Sequence, residues 1–112
     1  IDDHPEMVQL VEMMLLSDGY AVDSALNGEI GLQKARTGDH DLIILDIMMP
    51  NVDGYEVCQL VKINPGTQHI KIIFLSAKSK EEDIQKGLEL GADLYLTKPF
   101  STRTLVKKIK SL

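Results

Sequence analysis

Asp46 closes the apolar run Leu42-Ile43-Ile44-Leu45, Ser76 follows Ile72-Ile73-Phe74-Leu75, Lys98 follows Leu94 to Thr97, and Asp2-Asp3 follow Ile1. In open parallel sheets ligands bind outside the carboxyl ends of the strands, where the strand order reverses. If these runs are strands, residues scattered over the whole chain converge there. Carboxylates brought together repel, and one is driven toward its neutral form unless a cation joins them. An all-oxygen donor set suits a hard ion such as Mg²⁺. A carboxylate beside that ion is also a nucleophile, able to attack a phosphorus whose oxygens are neutralised by metal, ammonium and hydroxyl donor. Asp46, Lys98 and Ser76 have the chemistry for those roles. Singly, each acid could merely end a strand or cap a helix; the ordered set argues for a site.

The elements that would position these residues follow from periodicity. Short β-branched runs alternate with amphipathic stretches, the pattern of an α/β doubly wound parallel sheet with helices on both faces. Pro5, then Met7, Leu10, Val11, Met14 and Leu15 at helical spacing, mark a first helix that stops near Asp18-Gly19. Tyr20 to Ala25 reads as a strand, and Asn27 as the cap of a short helix carrying Ile30, Leu32 and Ala35 up to Gly38. Leu42 to Leu45, apolar on both faces, suits a central strand. Pro50, Asn51, Asp53 and Gly54 form a loop, Tyr55 to Ile63 a helix, and Asn64-Pro65-Gly66 its stop. Lys80 to Leu90 places Ile84, Leu88 and Leu90 on one face and Glu81, Glu82, Asp83 and Lys86 outside. Ser101 or Thr102 caps a last helix with Leu105, Val106 and Ile109 inward and Arg103, Lys107, Lys108 and Lys110 solvated.

A chain of 112 residues fits one domain with a single core. At 44% hydrophobic and 26% charged residues, with no apolar stretch long enough to cross a bilayer, a membrane span is excluded. The formal net charge of −5 argues against nucleic-acid binding by this domain, since phosphate backbones select clustered Lys and Arg. One cysteine, Cys58, and no apolar leader make a cytoplasmic protein the expectation, with Cys58 as inert packing. Only Ile1 precedes Asp2-Asp3, so most of the strand that should feed the first helix is absent, and the chain is expected to be a fragment of a longer protein.

From Ile1 to its end the chain resembles the receiver domains of two-component response regulators. Asp2-Asp3 matches the acidic pair, and Leu45-Asp46-Ile47-Met48-Met49-Pro50 with Asp53-Gly54 matches the phosphoacceptor strand and loop. Leu75-Ser76-Ala77, Gly91-Ala92-Asp93 and Lys98-Pro99-Phe100 complete the ordered pattern. The resemblance implies a five-stranded flavodoxin-like sheet in the order 2-1-3-4-5, here with a truncated first strand. It implies that Asp46 accepts a phosphoryl group from a sensor histidine kinase or phosphotransfer protein in a Mg²⁺-dependent reaction that the domain itself catalyses, as it does the dephosphorylation. Asp3, Asp46 and the Met48 backbone carbonyl would hold the metal, with Asp2 contributing through water. Ser76 and Lys98 would bind the phosphoryl oxygens, the Lys98-Pro99 bond would be cis, and Tyr95 would be the switch aromatic. Phosphorylation would then alter a face made of the fourth helix, last strand and final helix, read by an effector protein or an attached output domain. Met48 and Lys78 stand at positions that tune self-dephosphorylation. Leu94 replaces an acid used in some dimeric members, which leaves a homodimer open.

Rival readings are weaker. A phosphohydrolase would carry a second Asp two residues after Asp46, where Met48 stands, and a flavin carrier a Ser/Thr/Gly-rich loop where Asp2-Asp3-His4-Pro5 stands. A non-phosphorylated interaction module would have lost acceptor-site residues, all of which persist. His4, His40 and His69 are too dispersed for a metal triad; His4, beside the acidic pair, is the one that merits a test.

Overall fold

β-branched and aliphatic runs become strands where a neighbour completes their hydrogen bonds. In the computed structural model, which describes residues 1–112, β1 (Leu42–Leu45), β2 (Lys71–Ser76) and β3 (Leu94–Thr97) form a parallel three-stranded sheet in the order β1-β2-β3. Ile43 lies opposite Ile72, and Ser76 opposite Thr97. Parallel neighbours need crossovers, supplied by α3 (Gly54–Ile63) and α4 (Glu81–Glu89). The other helices are α1 (Pro5–Ser17), α2 (Gly28–Thr37) and α5 (Thr102–Lys110).

Successive strand side chains point to opposite faces, and β2 divides the core accordingly. Ile72 and Phe74 pack with Leu32 and Ala35 of α2 and Val57, Cys58 and Val61 of α3. Ile73 and Leu75 pack with Leu15 of α1 and Leu105 and Ile109 of α5. Helices therefore cover both faces, as the alternation of the sequence requires. The helix starts follow their local signals. Asn27 accepts from the Ile30 amide, Asp53 from Glu56 and Ser101 from Thr104, while Pro5 opens α1. Lys98-Pro99 is cis, as expected. No helix is long and apolar enough to cross a membrane.

The strand expected over Tyr20–Ala25 does not form a ladder. Its neighbour is only Ile1-Asp2, whose contact with it is a single bond from the Asp2 amide to the Ala25 carbonyl at 3.2 Å. On the other side Asp46 donates to the Ile1 carbonyl at 2.9 Å, and the Ile1 nitrogen to the Ile44 carbonyl at 2.6 Å. Ile1-Asp2 thus sits between residues 20–25 and β1, the neighbour order of a 2-1-3-4-5 sheet. Without pairing along its length a strand has no ladder to join. A cavity of about 870 Å³ lies beside Ile1-Asp2, lined by Val8, Val11, Leu15, Val22, Leu42 and Ile44 among others. It leaves Leu42 and Ile44 half-buried where a fully covered strand was expected.

The inner face of α4 also differs from its expected composition. Leu88 is exposed and Gly87 is buried instead. A Cβ on Gly87 would sit 3.0 Å from the Phe74 ring and 3.1 Å from the Tyr95 ring. Two aromatics from the sheet fill the space under α4, so the helix approaches through its smallest residue and its leucine turns outward.

Candidate functional site

Three strand ends deliver the chemistry. Asp46 follows β1 and is buried, at 4% exposure; Ser76 ends β2, fully buried; Lys98 follows β3. Asp2 and Asp3 reach the same place from the short segment beside β1, anchored by the bonds to Ala25 and Asp46 described above. The loop after Asp46 returns tightly, the Gly54 amide donating to the Ile47 carbonyl at 2.9 Å. A Cβ at Gly54 would collide with the Asp46 carbonyl oxygen and lie 2.7 Å from the Ile47 Cα. Glycine at this position is what lets α3 start directly beneath the acid.

Lys98 Nζ donates to Asp2 Oδ2 at 2.9 Å and reaches Asp46 Oδ2 at 3.5 Å. One cation therefore ties two buried carboxylates, and its shorter bond goes to Asp2. The repulsion expected to raise one carboxyl is not felt at Asp2. Burial pushes that group up, but hydrogen bonds from the His4 amide, the Lys98 ammonium and the His4 ring outweigh it and hold Asp2 below the ordinary range. Met48 donates its amide toward Asp46 Oδ1 at 3.4 Å while its side chain is exposed. Ser76 Oγ accepts from the Lys78 amide at 3.3 Å, and the Ser76 carbonyl accepts from the Lys98 amide at 2.8 Å, joining the ends of β2 and β3.

Asp2, Asp3, His4 and Asp46 each bring one donor atom within 4.8 Å of the others. Asp3 Oδ1 is buried and has no hydrogen-bond partner. A buried, unpaired carboxylate oxygen is costly, and one facing further carboxylates is compensated by a cation. The donor set is dominated by hard oxygens, as a Mg²⁺ site requires.

Asp2, Asp3 and Asp46 are thus brought together with Lys98, which bonds Asp2 and reaches Asp46, while Ser76 ends the adjacent strand and Met48 turns its amide toward Asp46. Tyr95 on β3 is half-buried, its hydroxyl donating to the Lys78 carbonyl at 2.6 Å. Two residues with no site role assigned from the sequence make contacts that bear on the site, although His4 had been singled out for a test. His4 places Nδ1 2.9 Å from Asp2 Oδ1 and 3.1 Å from Asp3 Oδ1; adjacency to the acidic pair was its only signal. Tyr55, to which no role was given, packs edge-on against Phe74 at 5.8 Å, and Phe74 in turn meets Tyr95 at 5.7 Å. The Tyr55 hydroxyl donates to the Asp83 carbonyl at 3.1 Å, and Lys86 Nζ lies 4.4 Å above its ring. Cys58 is packing, as expected: it is fully buried, and burial pushes its thiol up to about 11.

Residues 1–110 match the family described as the response regulator receiver domain. The chain belongs to that family. Among receiver-containing relatives it is 43% identical to the alkaline phosphatase synthesis transcriptional regulatory protein PhoP of Bacillus subtilis, aligning all of this chain with 46% of that protein. It is 40% identical to the transcriptional regulatory protein ResD of the same organism, again over all of this chain and 45% of the relative. The receiver domain described here thus spans about half the length of these regulators. Its fold matches that of the Vibrio cholerae chemotaxis protein CheY4 with a TM-score of 0.92 at 33% identity, covering 98% of this chain and 92% of that one. A response regulator from Chloroflexus aurantiacus matches at 0.93 and 34%, covering 99% and 91%. The doubly wound, flavodoxin-like class read from the sequence is therefore the fold of this receiver domain, although only three of its strands are laddered. The chain is a signalling receiver domain, consistent with a phosphorylation-dependent switch.

Proposed function

We propose that Asp46 is the phosphoacceptor of this receiver domain and that the chain catalyses both its own phosphorylation and its dephosphorylation. The observation that carries the reading is the buried Asp46 carboxylate held beside Asp2, Asp3 and Lys98 at the ends of adjacent strands. Asp2, Asp3, Asp46 and the Met48 carbonyl would hold Mg²⁺, which when bound neutralises charge on the phosphoryl oxygens. The Asp46 carboxylate oxygen attacks phosphorus, the bond from phosphorus to the donor's imidazole nitrogen breaks, and that nitrogen keeps the electron pair and takes a proton. The product is an acyl phosphate on Asp46. Lys98 is positioned to leave Asp46 for a phosphoryl oxygen, and Ser76 to donate its hydroxyl to another.

Movement of Ser76 toward the phosphoryl group frees space beside Tyr95, whose hydroxyl bond to the Lys78 carbonyl links β3 to the loop before α4. A phosphorylation-dependent change then emerges on the face of α4, β3 and α5. The donor is a sensor histidine kinase or phosphotransfer protein, and the reader an attached output domain or effector protein. The names of PhoP and ResD as transcriptional regulators, and the half of each that lies outside the match, support an attached output domain. The acidic net charge supports DNA contact through another domain rather than this one.

Incubation with acetyl phosphate and Mg²⁺ followed by intact-mass measurement is the test. One added phosphoryl group is expected on the wild type and none on Asp46→Ala. Labelling that persists in the variant, or is absent from the wild type, overturns the assignment.

A further inference from the structure

We infer that His4 is a direct metal ligand, so that the acidic pocket is a mixed nitrogen and oxygen site that takes late transition-metal ions in preference to Mg²⁺. The inference rests on the Mg²⁺ site proposed above and names a donor beyond its oxygens.

The His4 ring lies over the pocket mouth with Nδ1 turned inward, 2.9 Å from Asp2 Oδ1 and 3.1 Å from Asp3 Oδ1. A ring nitrogen carries at most one hydrogen, so it can serve only one of these two oxygens as a donor. Asp3 Oδ1 is left in contact with the nitrogen yet without a hydrogen-bond partner, and it is buried. A cation seated between the ring nitrogen and the two carboxylates would satisfy that oxygen. The separations also have the right size. Metal bonds of about 2.0–2.2 Å place adjacent ligands of an octahedron about 2.9–3.1 Å apart, whereas a tetrahedron would spread them to about 3.4 Å. Nδ1 and the carboxylate oxygens stand at octahedral-edge distances before any ion arrives.

Imidazole nitrogen discriminates between ions. Mg²⁺ takes oxygen and gains little from it, while Ni²⁺, Co²⁺ and Zn²⁺ bind it well. His4 is exposed, so its ring can adjust to an ion without repacking the core. Lys98, which follows β3, binds Asp2 through Oδ2 and leaves Oδ1 to the His4 side.

Titration calorimetry with Ni²⁺ and with Mg²⁺ on the wild type, His4→Gln and Asp3→Asn tests this without phosphoryl chemistry. His4→Gln should raise the Ni²⁺ Kd by about tenfold or more and change the Mg²⁺ Kd by less than about twofold. Asp3→Asn should weaken both. In the wild type, Co²⁺ should give hyperfine-shifted imidazole proton resonances that vanish in His4→Gln and on displacement with excess Mg²⁺. Mg²⁺ binding with no shifted ring signal, or equal losses for both ions in His4→Gln, overturns the His4 assignment and leaves the Mg²⁺ site standing. Ni²⁺ binding undiminished in Asp3→Asn places that ion elsewhere and also overturns it. A wild type that binds no Mg²⁺ removes the metal site itself.

Discussion

The carboxylates of this receiver domain are arranged for a ligand and not for stability. Asp2 is held by Lys98 and His4, whereas Asp3 Oδ1, 3.1 Å from the His4 ring nitrogen, is buried without a hydrogen bond. Its desolvation is a standing cost to the metal-free fold. Asp3→Ala is therefore expected to stabilise the metal-free protein by about 1 kcal/mol in urea unfolding and to abolish the further stabilisation that Mg²⁺ gives the wild type. A destabilised Asp3→Ala would show that the oxygen is not strained. Tyr95 carries a second residue-scale consequence. Burial above all, with Tyr55 and the Asp83 and Asp46 carboxylates, raises its phenol and outweighs the Ser76 hydrogen bond, pushing it up to about 12 from 10.0. The folded state thus holds this proton more tightly than the unfolded state. The contribution is complete below pH 10 and is lost as pH rises through about 12. Tyr95→Phe, with no proton to lose, should show a smaller fall in unfolding free energy over that window than the wild type; an equal fall would contradict the assignment.

At the scale of elements, two glycines set distances on which the site depends. Gly54 lets α3 begin against the backbone of Asp46 and Ile47, which cannot yield without moving Asp46. Gly87 meets ring atoms of Phe74 and Tyr95 at 3.0 and 3.1 Å, and these side chains can shift by tenths of an ångström. Gly54→Ala should therefore cost about 3 kcal/mol and reduce labelling of Asp46, and Gly87→Ala about 1 kcal/mol with labelling retained. Thermal denaturation with intact-mass analysis separates the two, and a reversed order would refute the account. The aromatic series Tyr55, Phe74 and Tyr95 ties α3, β2 and β3 together, with Lys86 of α4 over the Tyr55 ring.

Across the whole molecule, order is unevenly distributed about the sheet. β2 is paired on both sides and buried along nearly its whole length. Residues 20–25 hold to the sheet by the Ala25 carbonyl and border the cavity beside β1. Much of this receiver domain was legible in the sequence because the signals are local. An apolar run bounded by polar residues dictates a strand and what stands at its end, so Asp46, Ser76 and Lys98 could be placed without coordinates, as could the caps Asn27 and Ser101. Other features depend on what lies opposite in space, about which neighbouring residues say nothing. Tyr20 to Ala25 has the composition of a strand, but pairing needs a partner. Leu88 has the periodicity of a core residue, but two rings already occupy that core. Folding alone decided that Lys98 takes Asp2 at 2.9 Å and only reaches Asp46 at 3.5 Å, and that the His4 ring turns over the acidic pair, because both are set by the meeting of segments distant in the chain or by the turn between strand end and helix.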